Sequence, residues 1–174
     1  MEQIFVIRAT PDKDAYHTYA KVHMDARIGG PLTRAMTLLL GLLIVAGGAA
    51  AIWYAGFRLL YALSMLVGLL AIFARPIGIF RMTQRLITHA ADLGMTIDYL
   101  FGADSFTAES PDGTIYAAYA EVCRVVETDR YFFIYTGEQM AHIIPKVGFT
   151  KGDPLAFASF IMEKTKVHCV GRAY

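Results

Sequence analysis

The sequence predicts a membrane protein built from an α-helical hairpin of two transmembrane helices and a small α+β domain. Hydrophobic residues make up 56% of the 174 residues, a larger share than in an ordinary soluble domain, and the excess lies between Ala35 and Phe80. The flanking segments have ordinary soluble composition. We therefore expect three segments: an N-terminal strand and amphipathic helix at residues 1–34, the hairpin at 35–80, and a cytoplasmic domain at 81–174.

The first predicted transmembrane helix runs from Ala35 to Tyr54. It has about 20 residues without a charge, which is the length that crosses a hydrocarbon core. Its far end carries Trp53 beside Tyr54, an aromatic pair typical of the boundary between membrane and water. The chain opens with a mostly polar segment, so no cleaved signal peptide is expected and this helix should stay as an anchor.

The second predicted transmembrane helix, from Leu59 to Ala74, is shorter. It crosses the bilayer only if residues on both sides extend it. Pro76 should kink the chain near the interface, and a separate helix is expected from Phe80 to Leu93. Very few residues separate the two apolar runs. The helices should therefore be antiparallel neighbours joined by a tight turn that is too short to hold a domain.

Small residues four positions apart mark candidate helix-packing faces in both transmembrane helices. Such residues let helices approach closely in a membrane, so we expect the hairpin to pack through them, either internally or against another chain. The alternative interpretation is composition alone, because alanine and glycine are common in membrane helices. The candidate pairs are Gly47 with Ala51, Ala46 with Ala50, and Ser64 with Gly68.

Basic residues set the expected orientation, since lysine and arginine concentrate on cytoplasmic flanks. The turn between the helices carries Arg58, whereas both outer flanks are richer in positive charge. The flanking residues are Lys21, Arg27 and Arg34 before the first helix, and Arg75, Arg81 and Arg85 after the second. Both termini are therefore expected in the cytoplasm. Cys123 and Cys169 should then be free thiols in a reducing compartment.

The segment before the hairpin predicts a strand at residues 3–8 followed by an amphipathic helix. Thr10 is the expected N-cap, with Pro11 at the first helical position. The apolar positions of this helix recur on one face, which we expect to pack on the soluble domain, with the membrane surface as the alternative. They are Ala15, Tyr19, Val22 and Ala26.

After the hairpin the hydrophobic period changes from helical to alternating, which predicts an antiparallel meander of five or six strands. A hairpin turn is expected at residues 110–113, where proline and glycine occupy the favoured positions. A C-terminal helix should begin at residues 153–154 and end at about residue 166. This outline is that of a pleckstrin-homology-like (PH-like) domain. The predicted strands cover residues 95–101, 105–109, a third from 114, 122–127, 131–135 and 140–144.

Packing and turn patterns in the second half of the chain carry a family resemblance. They are Tyr116-Ala117-Ala118-Tyr119, Glu121-Val122, Val125-Val126-Glu127, Tyr131 to Tyr135, Ile143 to Lys146, and Phe149. In these patterns the sequence resembles the YcxB-like family of bacterial membrane proteins. The resemblance implies a short N-terminal strand and helix, two membrane spans and a C-terminal PH-like domain in a bacterial cytoplasmic membrane. It implies a fold and a topology, and no activity.

No catalytic, nucleotide-binding or metal-binding motif is present in the sequence. No two histidines have the helical spacing that builds a metal site, and His142 is expected to be an ordinary half-exposed histidine in a strand. No cofactor is therefore expected, and the chain is not expected to be an enzyme. The formal net charge of +1 provides no field that would attract nucleic acid.

The favoured functional expectation is a non-enzymatic, membrane-anchored binding or accessory module. The hairpin would dock on another membrane protein or on itself, and the cytoplasmic domain would contact a protein or lipid. The candidate contacts to anionic lipid headgroups are Arg75, Arg81, Arg85 and Lys146. The alternatives are an enzyme whose site forms only with a partner, and an immunity-type membrane protein.

Overall fold

The computed structural model describes residues 4–29, 31–90, 92–137 and 140–166, with the side chains of residues 27, 28 and 31 excepted. It contains two compact units, one combining Met1–Tyr19 with His89–Tyr174 and the other consisting of Ala20–Thr88. We call them the sheet unit and the hairpin unit. Cys123 is a free cysteine as predicted, and it is exposed, whereas Cys169 lies outside the described residues.

Among the described residues, eight short strands form two antiparallel sheets in the sheet unit. They are β1 (Phe5–Ala9), β2 (Ile97–Phe101), β3 (Ser105–Ser110), β4 (Gly113–Ala118), β5 (Arg124–Glu127), β6 (Tyr131–Tyr135), β7 (Ala141–Pro145) and β8 (Phe149–Lys151). The larger sheet has the strand order β4-β3-β2-β1-β8, and the smaller one has the order β5-β6-β7. The structure thus adds β8 to the predicted strands and divides them between two sheets. Three residues are too few to show an alternating pattern, so β8 had no sequence signal.

The N-terminal strand is an inner strand of the larger sheet. Ile7 of β1 lies opposite Tyr99 of β2 on one side and opposite Phe149 of β8 on the other. Alternate residues of a strand share one face, and the buried face of β1 presents Phe5, Ile7 and Ala9 to the core. A segment from the start of the chain therefore completes a sheet whose other strands all follow the hairpin in sequence.

The core of the sheet unit is built around Phe157 of the C-terminal helix, α4 (Pro154–Thr165). Its ring centroid lies 4.8 Å from that of Phe101 and 5.2 Å from those of Phe5 and Phe132, all in edge-to-face arrangements. Such arrangements are the favoured geometry for aromatic pairs. One side chain of α4 thus contacts β1 and β2 of the larger sheet and β6 of the smaller one.

Aspartate side chains cap the starts of α4 and of the N-terminal helix, α1 (Lys13–Ile28). Asp153 caps α4, as its position in the sequence predicts. In α1 the carboxylate of Asp12 accepts a 2.8 Å hydrogen bond from the backbone N–H of Ala15. The prediction of Thr10 as N-cap was wrong, because Asp12 stands three residues before its donor, as an N-cap does.

The apolar face of α1 is buried over part of its length. Tyr19 and Val22 are buried as the pattern predicts, whereas Ala26 is exposed. The ring of Tyr19 stacks on Tyr135, with centroids 6.0 Å apart, and lies 5.8 Å from the ring of Phe133. The first half of α1 therefore contributes an aromatic contact to β6.

His142 is buried, which corrects the prediction of a half-exposed histidine. It is 8% exposed and its ring meets those of Tyr99 and Phe106 edge-on, at centroid distances of 5.8 and 5.2 Å. The strand β7 is covered on both faces, since His142, Ile143 and Ile144 are all buried in succession. Burial lowers the pKa of His142, because an apolar environment disfavours the charged imidazolium.

The hairpin unit contains two long apolar helices, α2 (Pro31–Ala55) and α3 (Leu59–His89), although the last residue of α3 belongs to the sheet unit. Both are long and apolar enough to cross a membrane. Gly56 in the turn has φ +78°, a conformation that glycine adopts without strain. The separate helix predicted from Phe80 was wrong, because α3 continues through Pro76 without a break. A proline removes one helical hydrogen bond, and the residues on both sides still support the helix.

Candidate functional site

Glycines bring α2 and α3 into backbone contact along what we call the inner face of the hairpin. A Cβ placed on Gly68 would lie 2.8 Å from the carbonyl oxygen of Gly41, and one placed on Gly48 would lie 3.1 Å from the carbonyl oxygen of Tyr61. All three glycines are buried. Small residues allow this kind of close helix approach, and no larger side chain fits at these positions without displacing the partner helix.

The six predicted helix-packing residues separate into two groups. Gly68 and Ser64 lie on the inner face, where a Cβ on Gly48 would be 3.0 Å from the Ser64 hydroxyl oxygen. A Cβ on Gly47, by contrast, would meet no atom within 4 Å. Of the four predicted residues in α2, Ala46, Gly47 and Ala50 are exposed on its outer side, and Ala51 is half-buried. The small-residue pattern therefore marks both an internal contact and an outward surface.

Two of the inner-face glycines, Gly41 and Gly48, were missed by the search for pairs four residues apart. They are separated by seven residues, which is close to two helical turns and places both on the same face. A spacing of seven between glycines was therefore the available signal.

Between Ala35 and Ala74 the outer surface of α2 and α3 is uncharged and mostly apolar. Only 11% of the apolar stretch of α2 and 6% of that of α3 is buried. A water-soluble monomer rarely exposes an apolar patch this long. The exposed side chains include Leu39, Leu43, Trp53, Tyr54, Leu60, Leu70 and Phe73. This surface has the extent and composition to contact either lipid or a second apolar helix.

Three of the four predicted lipid-binding residues lie in α3, and they differ in exposure. Arg75 forms an ion pair with Asp25 of α1, and the two side chains are 19% and 28% exposed. Arg81 and Arg85 are exposed. The charge of Arg75 is therefore already compensated within the hairpin unit, which leaves Arg81 and Arg85 as the better placed candidates for an external anion.

Lys146, the fourth predicted lipid contact, lies in the sheet unit, where its ammonium group contacts neighbouring side chains. Its Nζ donates a 2.6 Å hydrogen bond to Oε1 of Glu127 and lies 4.8 Å from the centre of the Phe132 ring. The Lys146 side chain is 22% exposed. Its ammonium group thus combines an ion pair with a cation–π contact, and its contact with lipid stays a prediction.

A cavity of about 200 Å³ opens in the sheet unit beside β2, β3 and β4. We call it the β2–β4 cavity. Its lining includes the apolar residues Met95, Ile97, Ala108 and Ile115 and the carboxylates of Asp92 and Asp112. Tyr99 also lines it, and burial together with the nearby charge of Asp92 raises the pKa of its hydroxyl. The cavity therefore joins an apolar floor to two acidic groups and a neutral phenol.

Comparison with protein families matches residues 101–161 to the family described as YcxB-like protein. The resemblance between Tyr116 and Phe149 lies inside this range and is confirmed. Comparisons with curated proteins and with solved structures found no match. The matched range contains strands β3 to β8 and the greater part of α4. The segment from Phe101 to Ile161 is thus similar to the YcxB-like family.

Proposed function

We propose that this chain is a non-enzymatic, membrane-anchored binding or accessory module whose helices α2 and α3 cross a bacterial cytoplasmic membrane. The observation that carries the proposal is the exposed apolar surface of both helices. Apolar surface in contact with water costs about 25 cal/mol per Å². An outward row that includes Leu39, Leu43 and Phe73 would be unfavourable in water and favourable in hydrocarbon.

The proposed orientation places both termini and the sheet unit in the cytoplasm. The turn of Gly56, Phe57 and Arg58 carries one positive charge, whereas the outer flanks carry several. Basic flanks stay on the cytoplasmic side during insertion. Arg81 and Arg85, both exposed on α3, would then lie near the anionic headgroups of the inner leaflet.

The sheet unit supports the binding part of the proposal. Two antiparallel sheets with a C-terminal helix agree with the PH-like outline, which we propose for this unit. A partner segment can add to an exposed edge strand through main-chain hydrogen bonds, and side chains beside that strand then add specificity. On the edge strand β4, Tyr116 is 76% exposed and Ile115 is 50% exposed, which favours contact with a protein or lipid partner there.

The outer small-residue surface of α2 is the proposed docking face of the hairpin. Ala46, Gly47 and Ala50 are exposed and lie away from α3. Such residues let a second membrane helix approach closely. The partner would be another membrane protein or a second copy of this chain, which purification in mild detergent followed by identification of the co-purifying chains distinguishes.

Cysteine labelling in intact bacterial cells tests the location and orientation together. Ala55, exposed at the end of α2, is a better position for a new cysteine than Gly56, whose positive φ strains any other residue. In a background with Cys123 and Cys169 replaced by serine, Ala55→Cys should react with a membrane-impermeant maleimide from outside. Native Cys123, exposed in the sheet unit, should react only after the cells are permeabilised.

Two results would contradict the proposal. Labelling of Cys123 in intact cells with no reaction at position 55 would reverse the orientation. Release of the chain from the membrane fraction by alkaline carbonate would show that α2 and α3 do not span the bilayer, because carbonate extracts peripheral proteins and leaves integral ones behind.

A further inference from the structure

We propose that the β2–β4 cavity is a binding site for a small organic cation, an alkylammonium or alkylguanidinium group carried on an apolar stem. The proposal rests on the volume, lining and charge of this cavity. It goes beyond membrane anchoring and does not depend on whether α2 and α3 cross a bilayer, because every residue concerned lies in the sheet unit.

The size and floor of the cavity suit an apolar stem. Its volume of about 200 Å³ exceeds the roughly 150 Å³ of an apolar cavity that binds benzene. Ile97 and Ala108 are buried at the floor, and Ile115 is half-exposed. A stem of a few methylene groups would replace water against these side chains, and each buried methylene strengthens binding about threefold to fourfold.

Within the described residues, neither carboxylate of the cavity has the kind of ion pair that neutralises three other acidic groups of the sheet unit. Asp98, Asp14 and Glu127 are each neutralised by an arginine or lysine. Within the part of the chain that the structure describes, no ion pair joins Asp92 or Asp112 to a basic side chain. A positively charged ligand would neutralise these two carboxylates, as arginine and lysine side chains neutralise the carboxylates of the ion pairs.

Asp92 is held in place for such a contact. The hydroxyl of Tyr16, a buried side chain, donates a 2.6 Å hydrogen bond to Oδ1 of Asp92. Because a carboxylate has two oxygens, Oδ2 keeps its capacity to accept from a cation. Burial and the hydrogen bond to Asp92 raise the pKa of Tyr16. Tyr16 therefore stays a neutral donor and adds no charge of its own at physiological pH.

Methyl NMR of the full chain in non-ionic detergent provides a site-specific test. The chain has eight methionines, and Met95 lines the cavity, so its ¹³C-labelled methyl signal, assigned with Met95→Leu, reports occupancy directly. The probe is n-butylammonium chloride, with 1-butanol as the neutral control and sodium chloride as the ionic-strength control. Signals from methionines of α2 and α3 separate cavity binding from insertion into the micelle.

We expect a saturable shift of the Met95 signal with butylammonium and none with either control. Asp112→Asn, an exposed turn position, should weaken binding about twofold to fivefold. Asp92→Asn keeps an oxygen that can accept from Tyr16 and should weaken binding about fivefold or more. Asp129→Asn is the matched control, since it removes the same charge from an exposed turn of the other sheet, and it should bind as the parent does.

The proposal is overturned if butanol shifts Met95 as butylammonium does, if both asparagine variants bind like the parent, or if no saturable shift occurs with butylammonium. A lysine with capped backbone ends distinguishes the source of the cation. Tighter binding of capped lysine than of butylammonium supports a side chain from a partner protein. Exclusion of capped lysine while butylammonium binds supports a free amine.

Discussion

Gly68 of α3 faces the backbone of α2 so closely that a Cβ on Gly68 would lie 2.8 Å from the carbonyl oxygen of Gly41. This contact fixes the separation of the two helices. A Cβ on Gly47, on the outer side of α2, would meet no atom within 4 Å. Substitutions at these two glycines therefore test two different properties, the fold of the hairpin and its association.

We predict that Gly68→Leu lowers the thermal stability of the protein purified in mild detergent more than Gly47→Leu does. Leucine at position 68 forces α3 away from Gly41, and overpacking of this kind costs about 1–3 kcal/mol. Loss of the monodisperse peak in size-exclusion chromatography after heating provides the measurement. Equal melting temperatures for Gly68→Leu and the parent would show that the inner face tolerates a large side chain.

We predict that Gly47→Leu reduces the assembly size of the native complex, because a bulky side chain on the outer small-residue face blocks close approach of a second helix. Light scattering coupled to size-exclusion chromatography measures the mass of the assembly. The substitution keeps the helix apolar enough to insert. An unchanged mass for Gly47→Leu would place the association surface elsewhere.

We predict that Phe157→Ala destabilises the sheet unit by about 3–5 kcal/mol, since its ring fills the space between the two sheets. Leu155→Ala is the matched control on the same helix, because Leu155 is 76% exposed and an exposed substitution changes stability by about 0.5 kcal/mol or less. Pulse proteolysis of the full chain across a urea series measures both. Similar losses for the two variants would show that Phe157 is not central to the core.

We predict that Tyr19→Asp destabilises the sheet unit by about 2–4 kcal/mol, because it places a charge among the buried rings of Phe133 and Tyr135. His17→Asp on the exposed side of α1 introduces the same residue in water and should be tolerated. Protease resistance of the sheet unit is the measurement. If Tyr19→Asp left that resistance unchanged, the contact between α1 and β6 would contribute little.

We predict that the protein loses stability as the pH falls below about 6.5, the ordinary pKa of histidine, and that His142 accounts for part of the loss. Burial lowers the pKa of His142 in the fold, so the unfolded chain takes up the proton first. The contribution to stability is present above the unfolded pKa and is lost as the pH falls through the folded pKa. His142→Gln should flatten the change in melting temperature between pH 8 and 5.

The control for this pH series is His89→Gln, at an exposed position, which should keep the slope of the parent. A His142→Gln variant with an unchanged slope would assign the acid sensitivity to other groups.

Local signals in the sequence were sufficient for the elements that depend on neighbouring residues. The apolar runs identified both long helices, and the aromatic-rich run between two turn segments identified the strand Tyr131–Tyr135 with the bounds that the structure has. Asp153 followed by Pro154 marked the start of α4. Each signal lies within a few residues of the feature it predicts, so no distant contact was needed to interpret it.

Pairings between distant residues were decided by the tertiary structure. The position of β1 between β2 and β8 depends on which hydrogen-bonding edges are available after the chain folds, and the ion pair of Lys146 with Glu127 depends on the alignment of β7 with β5 across β6. Likewise, a glycine in an apolar helix has the same local sequence context whether it faces a partner helix or the surroundings. The sequence determined which segments are helical, extended or apolar. Packing determined which of their faces meet, because the energy of a contact depends on both segments and cannot be read from either one alone.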